Sequence, residues 1–171
     1  SQLLQALSPS VPLLGQTVPF GPKLLFEATN VPGFVLAMEL CEDLWAPVPP
    51  STLAALAGAT VIANLSASDV TVGKADYRRL LCASQSAKCV TGYLYSAAGP
   101  GESTTDLAWD GHGLIYENGE RLAETQRFPL RGGYALADLD LDHLRQERLR
   151  WTTFGDCVQA QRAQLDGFRR I

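Results

Sequence analysis

The stretch 34–40 is apolar except for Glu39 and runs directly into Cys41-Glu42-Asp43. Its length suits a strand buried on both faces, not a helix. A β-branched run at 60–65 suits a second buried strand, and 89–95 returns as another strand. Between the second and third, 76–88 has helical spacing, with Tyr77, Leu80, Leu81 and Ala87 roughly on one face. Strands alternating with helices demand a layered α/β or α+β domain whose sheet is covered by its connections. Composition permits such a core, because 46% of the 171 residues are hydrophobic and 19% are charged. A chain with that balance is not intrinsically disordered.

The flanks read differently. The first 23 residues are rich in Pro, Ser and Gly and form a loose lead-in, followed by a short strand at 24–28. Ser51 is placed to cap a short helix over 52–57. Asn118-Gly119, set between Leu114-Ile115-Tyr116 and Leu122, marks a hairpin with a primed turn. Residues 134–139 suggest a last strand and 141–150 a charged helix, with an Asp at its N-cap. The tail 156–171 is amphipathic, as in a docking helix or a connector.

Several function classes are excluded. Fourteen Lys and Arg against 18 Asp and Glu give a net charge of −4, with no basic stripe for a phosphate backbone. No apolar run approaches the ~20 residues that span a bilayer. Ser1-Gln2-Leu3-Leu4 opens without a basic stretch or cleavage motif, so no secretory leader is expected. The Asn64-Leu65-Ser66 sequon is then incidental. Cys41, Cys82, Cys89 and Cys157 are widely spaced, which predicts reduced thiols rather than a zinc site or a disulfide framework. Asp138, Asp140 and Asp142 lack the loop spacing of a calcium site, and Gly99-Pro100-Gly101 lacks the Lys of a phosphate loop.

Cys41 is the strongest candidate for chemistry. A residue between a buried strand and a polar turn stands at the mouth of a sheet, as hydrolase nucleophiles do; a small buried hydrophobe is the competing reading. Glu42 and Asp43 are anions and disfavour a thiolate, so activation has to come from elsewhere in the fold. His112 and His143 show no spacing that marks a Cys–His pair and read as surface histidines. Lys74, in a loop after 64–72, can approach the same mouth. Asn64 to Ser68 leaves a strand through small hydroxyl residues, which suits either a polar ligand or ordinary turn chemistry.

Three motifs carry a family resemblance. Glu39-Leu40-Cys41-Glu42-Asp43-Leu44-Trp45, Asn64-Leu65-Ser66-Ala67-Ser68 and Gly101-Glu102-Ser103-Thr104-Thr105-Asp106-Leu107-Ala108-Trp109-Asp110-Gly111 resemble, in order, the glutaminase domain of bacterial glutamine-dependent NAD+ synthetases. These are nitrilase-like amidases. The resemblance implies part of a four-layer α-β-β-α sandwich with a mixed sheet. It divides the chain into a poorly matched lead-in at 1–16, the C-terminal part of a glutaminase domain at 17–154, and a helical connector toward a synthetase domain at 155–171. It implies Cys41 as nucleophile of a Glu-Lys-Cys set, with Glu42, Ser68 and Lys74 binding glutamine. Lys74 stands where relatives carry Arg, whose planar fork Lys lacks.

The family's general-base Glu and catalytic Lys lie upstream of the nucleophile, and neither Lys23 nor Glu27 falls in a matching motif. The 171 residues alone are therefore expected to be inactive. ATP and Mg are implied only for a synthetase domain, and no cofactor or metal for this chain. The expected partners are glutamine, a synthetase domain or the remaining half of the amidase, and further copies of the chain. The expected location is cytoplasmic. The competing readings are another nitrilase-type carbon–nitrogen hydrolase and a non-catalytic assembly fragment.

Overall fold

The computed structural model describes residues 9–102 and 106–171. Ser103, Thr104 and Thr105 of the third motif, and residues 1–8 of the lead-in, lie outside the described residues. The lead-in is more ordered than its composition suggests, since β1 (Ser10–Leu13) and β2 (Gln16–Pro19) form an antiparallel hairpin. Arg169 holds its base by donating to the Pro9 (2.7 Å) and Phe20 (2.6 Å) carbonyls.

The core is a seven-stranded mixed sheet built from β3 (Leu24–Glu27), β4 (Val35–Leu40), β5 (Val61–Ser66), β6 (Gly92–Ala97), β7 (Gly113–Glu117), β8 (Glu120–Glu124) and β9 (Arg169–Arg170). Its order is β8-β7-β6-β5-β4-β3-β9, and β4, β5 and β6 run parallel. The crossovers are α1 (Pro50–Leu56) and α2 (Lys74–Cys89). Parallel crossovers are right-handed, so adjacent ones advancing in the same direction put their helices on one face. Both helices pack there, α1 on β4 and α2 on β6 and β7.

Register makes the two faces explicit. Ala37, Ile62, Tyr93 and Tyr116 form one cross-sheet row, and Glu39, Asn64, Tyr95 and Leu114 the next. All eight are buried beneath the helices. On the opposite face the rows are Met38, Ala63, Leu94, Ile115 and then Leu40, Leu65, Ser96, Gly113. Met38, Leu40 and Leu65 are 48%, 53% and 53% exposed. The strand at 34–40 is thus buried on one face only, against the expectation of burial on both, because among the described residues no second layer covers its other face.

Other elements shift for physical reasons. Ser51 does not cap α1: Pro49 holds the N-cap position, and Ser51 lies buried within the helix. There its N–H donates to Glu39 (3.0 Å) and its hydroxyl accepts from Gln85 (2.9 Å). The buried side of α2 is Ala75, Arg78, Cys82, Gln85, Ser86 and Cys89, whereas Tyr77 and Leu80 are exposed. Asn118 and Gly119 form the expected hairpin turn with φ of 46° and 88°, the paired positive values of a type I′ turn. Residues 134–139 make no sheet pairing and form no regular element. The charged helix forms as α3 (Leu141–Arg150), with the Asp140 carboxylate accepting the His143 N–H. The tail is not one helix; it breaks into α4 (Thr152–Ala160) and α5 (Arg162–Leu165) before β9 pairs in parallel with β3. Among the described residues no helix is long and apolar enough to cross a membrane.

Candidate functional site

Cys41 follows the last residue of β4 and opens a 3₁₀ turn, Cys41–Trp45. Its φ is 47°, a left-handed conformation costing a non-glycine residue about 1–3 kcal/mol and concentrated at functional sites. The turn is closed by Asp43, whose carboxylate accepts the Leu40 N–H at 2.9 Å. The thiol therefore stands at the carboxyl edge of the parallel strands, where open α/β sheets place ligands.

Beneath it lies a polar hub that sequence reasoning missed. Glu39 is buried, and its carboxylate accepts the Tyr93 hydroxyl, the Ser51 N–H (3.0 Å) and the Asn64 side-chain amide (3.4 Å). The same Asn64 Nδ2 also lies 3.4 Å from the Cys41 carbonyl oxygen. Burial first, and then the Glu39 charge, push the Tyr93 phenol far above its ordinary range, so it remains a neutral donor. The available signal was Glu39 itself, a carboxylate inside an otherwise apolar strand. Such a group is stable there only when bonded on all sides.

The loop after β5 carries the next candidates. Ser68 is buried. Lys74 is the first residue of α2 rather than part of a loop, and its ammonium pairs with Asp69 at 2.6 Å. That contact holds the Asp69 carboxyl below its ordinary value. Glu42 is solvent-exposed on the turn beside Cys41. The described contacts join Cys41 to Asn64 and Lys74 to Asp69, but none links Glu42, Ser68 or Lys74 directly to Cys41. His112 is not a surface residue. It is fully buried, with Nε2 2.8 Å from Glu124, which also takes Arg79 Nε at 2.9 Å. Lys23 and Glu27, at the two ends of β3 beside β4, are engaged with the Gln164 carbonyl (2.7 Å) and Arg170 (2.9 Å). All four cysteines are free thiols. Burial pushes Cys89 up to about 11 and Cys82 higher still, so neither is poised to react.

No family model matches the chain. Over 157 residues it is 56% identical to the glutamine-dependent NAD(+) synthetase of Mycobacterium tuberculosis, a match covering 92% of the chain and 23% of that relative. The chain is similar to a segment of glutamine-dependent NAD(+) synthetases. It spans less than a quarter of that relative's length. Among solved structures, a glutamine-dependent NAD(+) synthetase from Cytophaga hutchinsonii superposes with a TM-score of 0.60 at 24% identity, covering 74% of this chain and 19% of that one. A carbon-nitrogen hydrolase from Helicobacter pylori gives a TM-score of 0.60 at 16% identity, covering 78% of this chain and 50% of that one. The nitrilase-like α/β fold follows from these superpositions.

The Gly99-Pro100-Gly101 loop offers no Lys, and among the described residues no three His, Cys, Asp or Glu side chains gather to hold a metal.

Proposed function

We propose that the chain is the nucleophile-bearing part of a glutaminase that supplies ammonia for the ATP-dependent amidation of deamido-NAD+ to NAD+. The observation that carries this reading is Cys41 at φ 47°, held at the carboxyl edge of β4, in a chain 56% identical to such a synthetase. The Cys41 sulfur attacks the side-chain amide carbon of glutamine. A C–S bond forms, the C–N bond breaks, and the nitrogen leaves as ammonia with the proton that the thiol gave up. Water then hydrolyses the glutamyl thioester to glutamate and restores the thiol. Glu42, Ser68 and Lys74 hold the glutamine, with the Lys74 ammonium as the cation for its α-carboxylate. ATP and Mg serve the synthetase step outside this segment.

The general base and a second cation come from the remaining half of the amidase, which packs on the face of Met38, Leu40 and Leu65. A sheet face half open to water supports that partner. On this reading the protein works in the cytoplasm, and the 171 residues taken alone turn over negligible glutamine. Glutamine hydrolysis by the segment at the rate of the full natural protein would overturn the dependence on that half.

The deciding experiment is mass-spectrometric labelling of the full natural protein with a glutamine-mimicking electrophile, with and without excess glutamine. Modification of Cys41 that glutamine suppresses, with exposed Cys157 labelled indifferently, is the expected result. Labelling of Cys41 that glutamine leaves untouched overturns the reading. If another ω-amide suppresses it instead, the substrate is that of a different carbon–nitrogen hydrolase. The open face equally suits a purely structural fragment, and a Cys41 inert in the full protein would favour that second reading.

A further inference from the structure

Arg78 occupies the middle of the buried side of α2, where a hydrocarbon would be expected, and both it and Asp110 have no exposed side-chain surface. Arg78 Nη1 donates to the two carboxylate oxygens of Asp110 at 2.9 and 2.7 Å. Its Nη2 donates to the backbone carbonyls of Ser68 (2.8 Å) and Asp69 (3.0 Å). Asp110 also accepts from Arg127 Nε at 2.9 Å and from the His112 N–H at 3.3 Å. The guanidinium lies 5.9 Å from the Tyr95 ring centre, and the Tyr95 hydroxyl donates to Ser66 at 2.9 Å.

One buried cation thus ties the β5–α2 loop to the loop that carries the third motif. A second tie runs beside it, from the Val70 N–H to the Ala108 carbonyl at 2.8 Å. Burying two charges costs several kcal/mol each, and an apolar pair often gives equal stability. What hydrocarbon cannot supply is direction. With Nη1 of the planar guanidinium locked on Asp110, Nη2 is aimed at two successive carbonyls, and the second belongs to Asp69, whose carboxylate holds the Lys74 ammonium.

We propose that Arg78, backed by Asp110, is a positioning residue: its clamp on the Ser68 and Asp69 carbonyls sets where Ser68 and Lys74 stand and so sets affinity for the amide substrate. This rests on the glutamine-binding reading of Ser68 and Lys74. Arg78 touches no substrate itself.

The test compares Arg78→Lys, Arg78→Met and the double variant Arg78→Met/Asp110→Leu in the full natural protein. The single Met variant strands the Asp110 carboxylate and melts early; the double variant removes both charges and recovers part of the melting temperature, the Ser68 and Asp69 carbonyls still lacking their donor. In the double variant, and in Arg78→Lys, the glutamine concentration that half-protects Cys41 from the electrophile rises about tenfold or more. Labelling of Cys41 by iodoacetamide without glutamine stays unchanged. Half-protection within about twofold of the parent protein, in a variant folded at the assay temperature, overturns the proposal. If glutamine fails to protect Cys41 in the parent protein, the substrate reading fails instead. Hydrogen exchange then decides the positioning claim: amides at 67–73 must exchange faster in Arg78→Lys while the sheet does not change, and unaltered exchange there overturns it.

Discussion

Arg148 of α3 donates from Nη2 to the Cys89 carbonyl at the C-terminus of α2, at 3.0 Å. The same nitrogen reaches the Ala59 carbonyl just beyond α1 at 2.6 Å, and Nε reaches the Val90 carbonyl at 3.1 Å. Among the described residues no carboxylate pairs with this guanidinium. The cation sits where two helix ends leave carbonyls unpaired and present the negative ends of their dipoles. Burial draws the guanidinium down to about 10, still charged near neutrality. Arg148→Met should cost about 3 kcal/mol, because it strands several carbonyls at once. Urea unfolding with an unchanged m-value would measure it, and a loss below about 1 kcal/mol would show that water satisfies those carbonyls.

Tyr93→Phe removes one donor from the Glu39 carboxylate and leaves the ring packed. A buried charge-assisted bond of this kind contributes about 1.5–3 kcal/mol, and the loss should appear in the unfolding midpoint. A coupled change in the rate of Cys41 alkylation is expected, because Asn64 joins the same carboxylate to the Cys41 backbone.

His112 makes stability depend on pH. Burial holds its pKa below the ordinary 6.5, outweighing the opposing attraction of Glu124 and Asp110. A folded value below the unfolded one favours the neutral ring in the fold. Its contribution is therefore complete above the ordinary value and lost as pH falls from there through the folded value. The melting temperature should fall below pH ~6.5, and His112→Gln, which retains a donor for Glu124, should flatten that slope. Asp110 and Glu124 add a second loss at lower pH. Burial raises both carboxyls, but Arg127 and Arg78 on Asp110, and Arg79 and His112 on Glu124, hold both below their ordinary values.

The uncovered rows of Met38, Leu40 and Leu65 should make the 171-residue chain bind apolar dyes and self-associate. Met38→Lys/Leu65→Lys should reduce dye binding and shift the chain toward monomer without lowering its melting temperature. Sedimentation with a dye titration measures both effects. A monodisperse parent chain with no dye binding would refute the prediction.

Local signals carried much of the architecture. The strand at 34–40, the Asn118-Gly119 turn and the Asp140-capped helix were legible because they depend on side-chain period, turn chemistry and capping within a few residues. The position of Cys41 followed from the same logic, whereas the open face of β4 did not, since the apolar run at 34–40 suggested burial on both sides. The polar interior was not legible. Arg78, Glu39 and His112 are buried only because partners 32, 54 and 12 residues away satisfy them: Asp110, Tyr93 and Glu124. A hydrophobic pattern assigns such residues to the surface, which is why α2 was rotated toward Tyr77 and Leu80. The broken tail escaped for the same reason, since β9 forms only by pairing with β3, more than 140 residues earlier. Sequence alone determined where the central strands, the hairpin turn and the strand-end Cys41 would lie, through period and local bonding. Tertiary structure decided which charges could be buried, because a charge is stable inside a protein only where distant parts of the chain bring its partners.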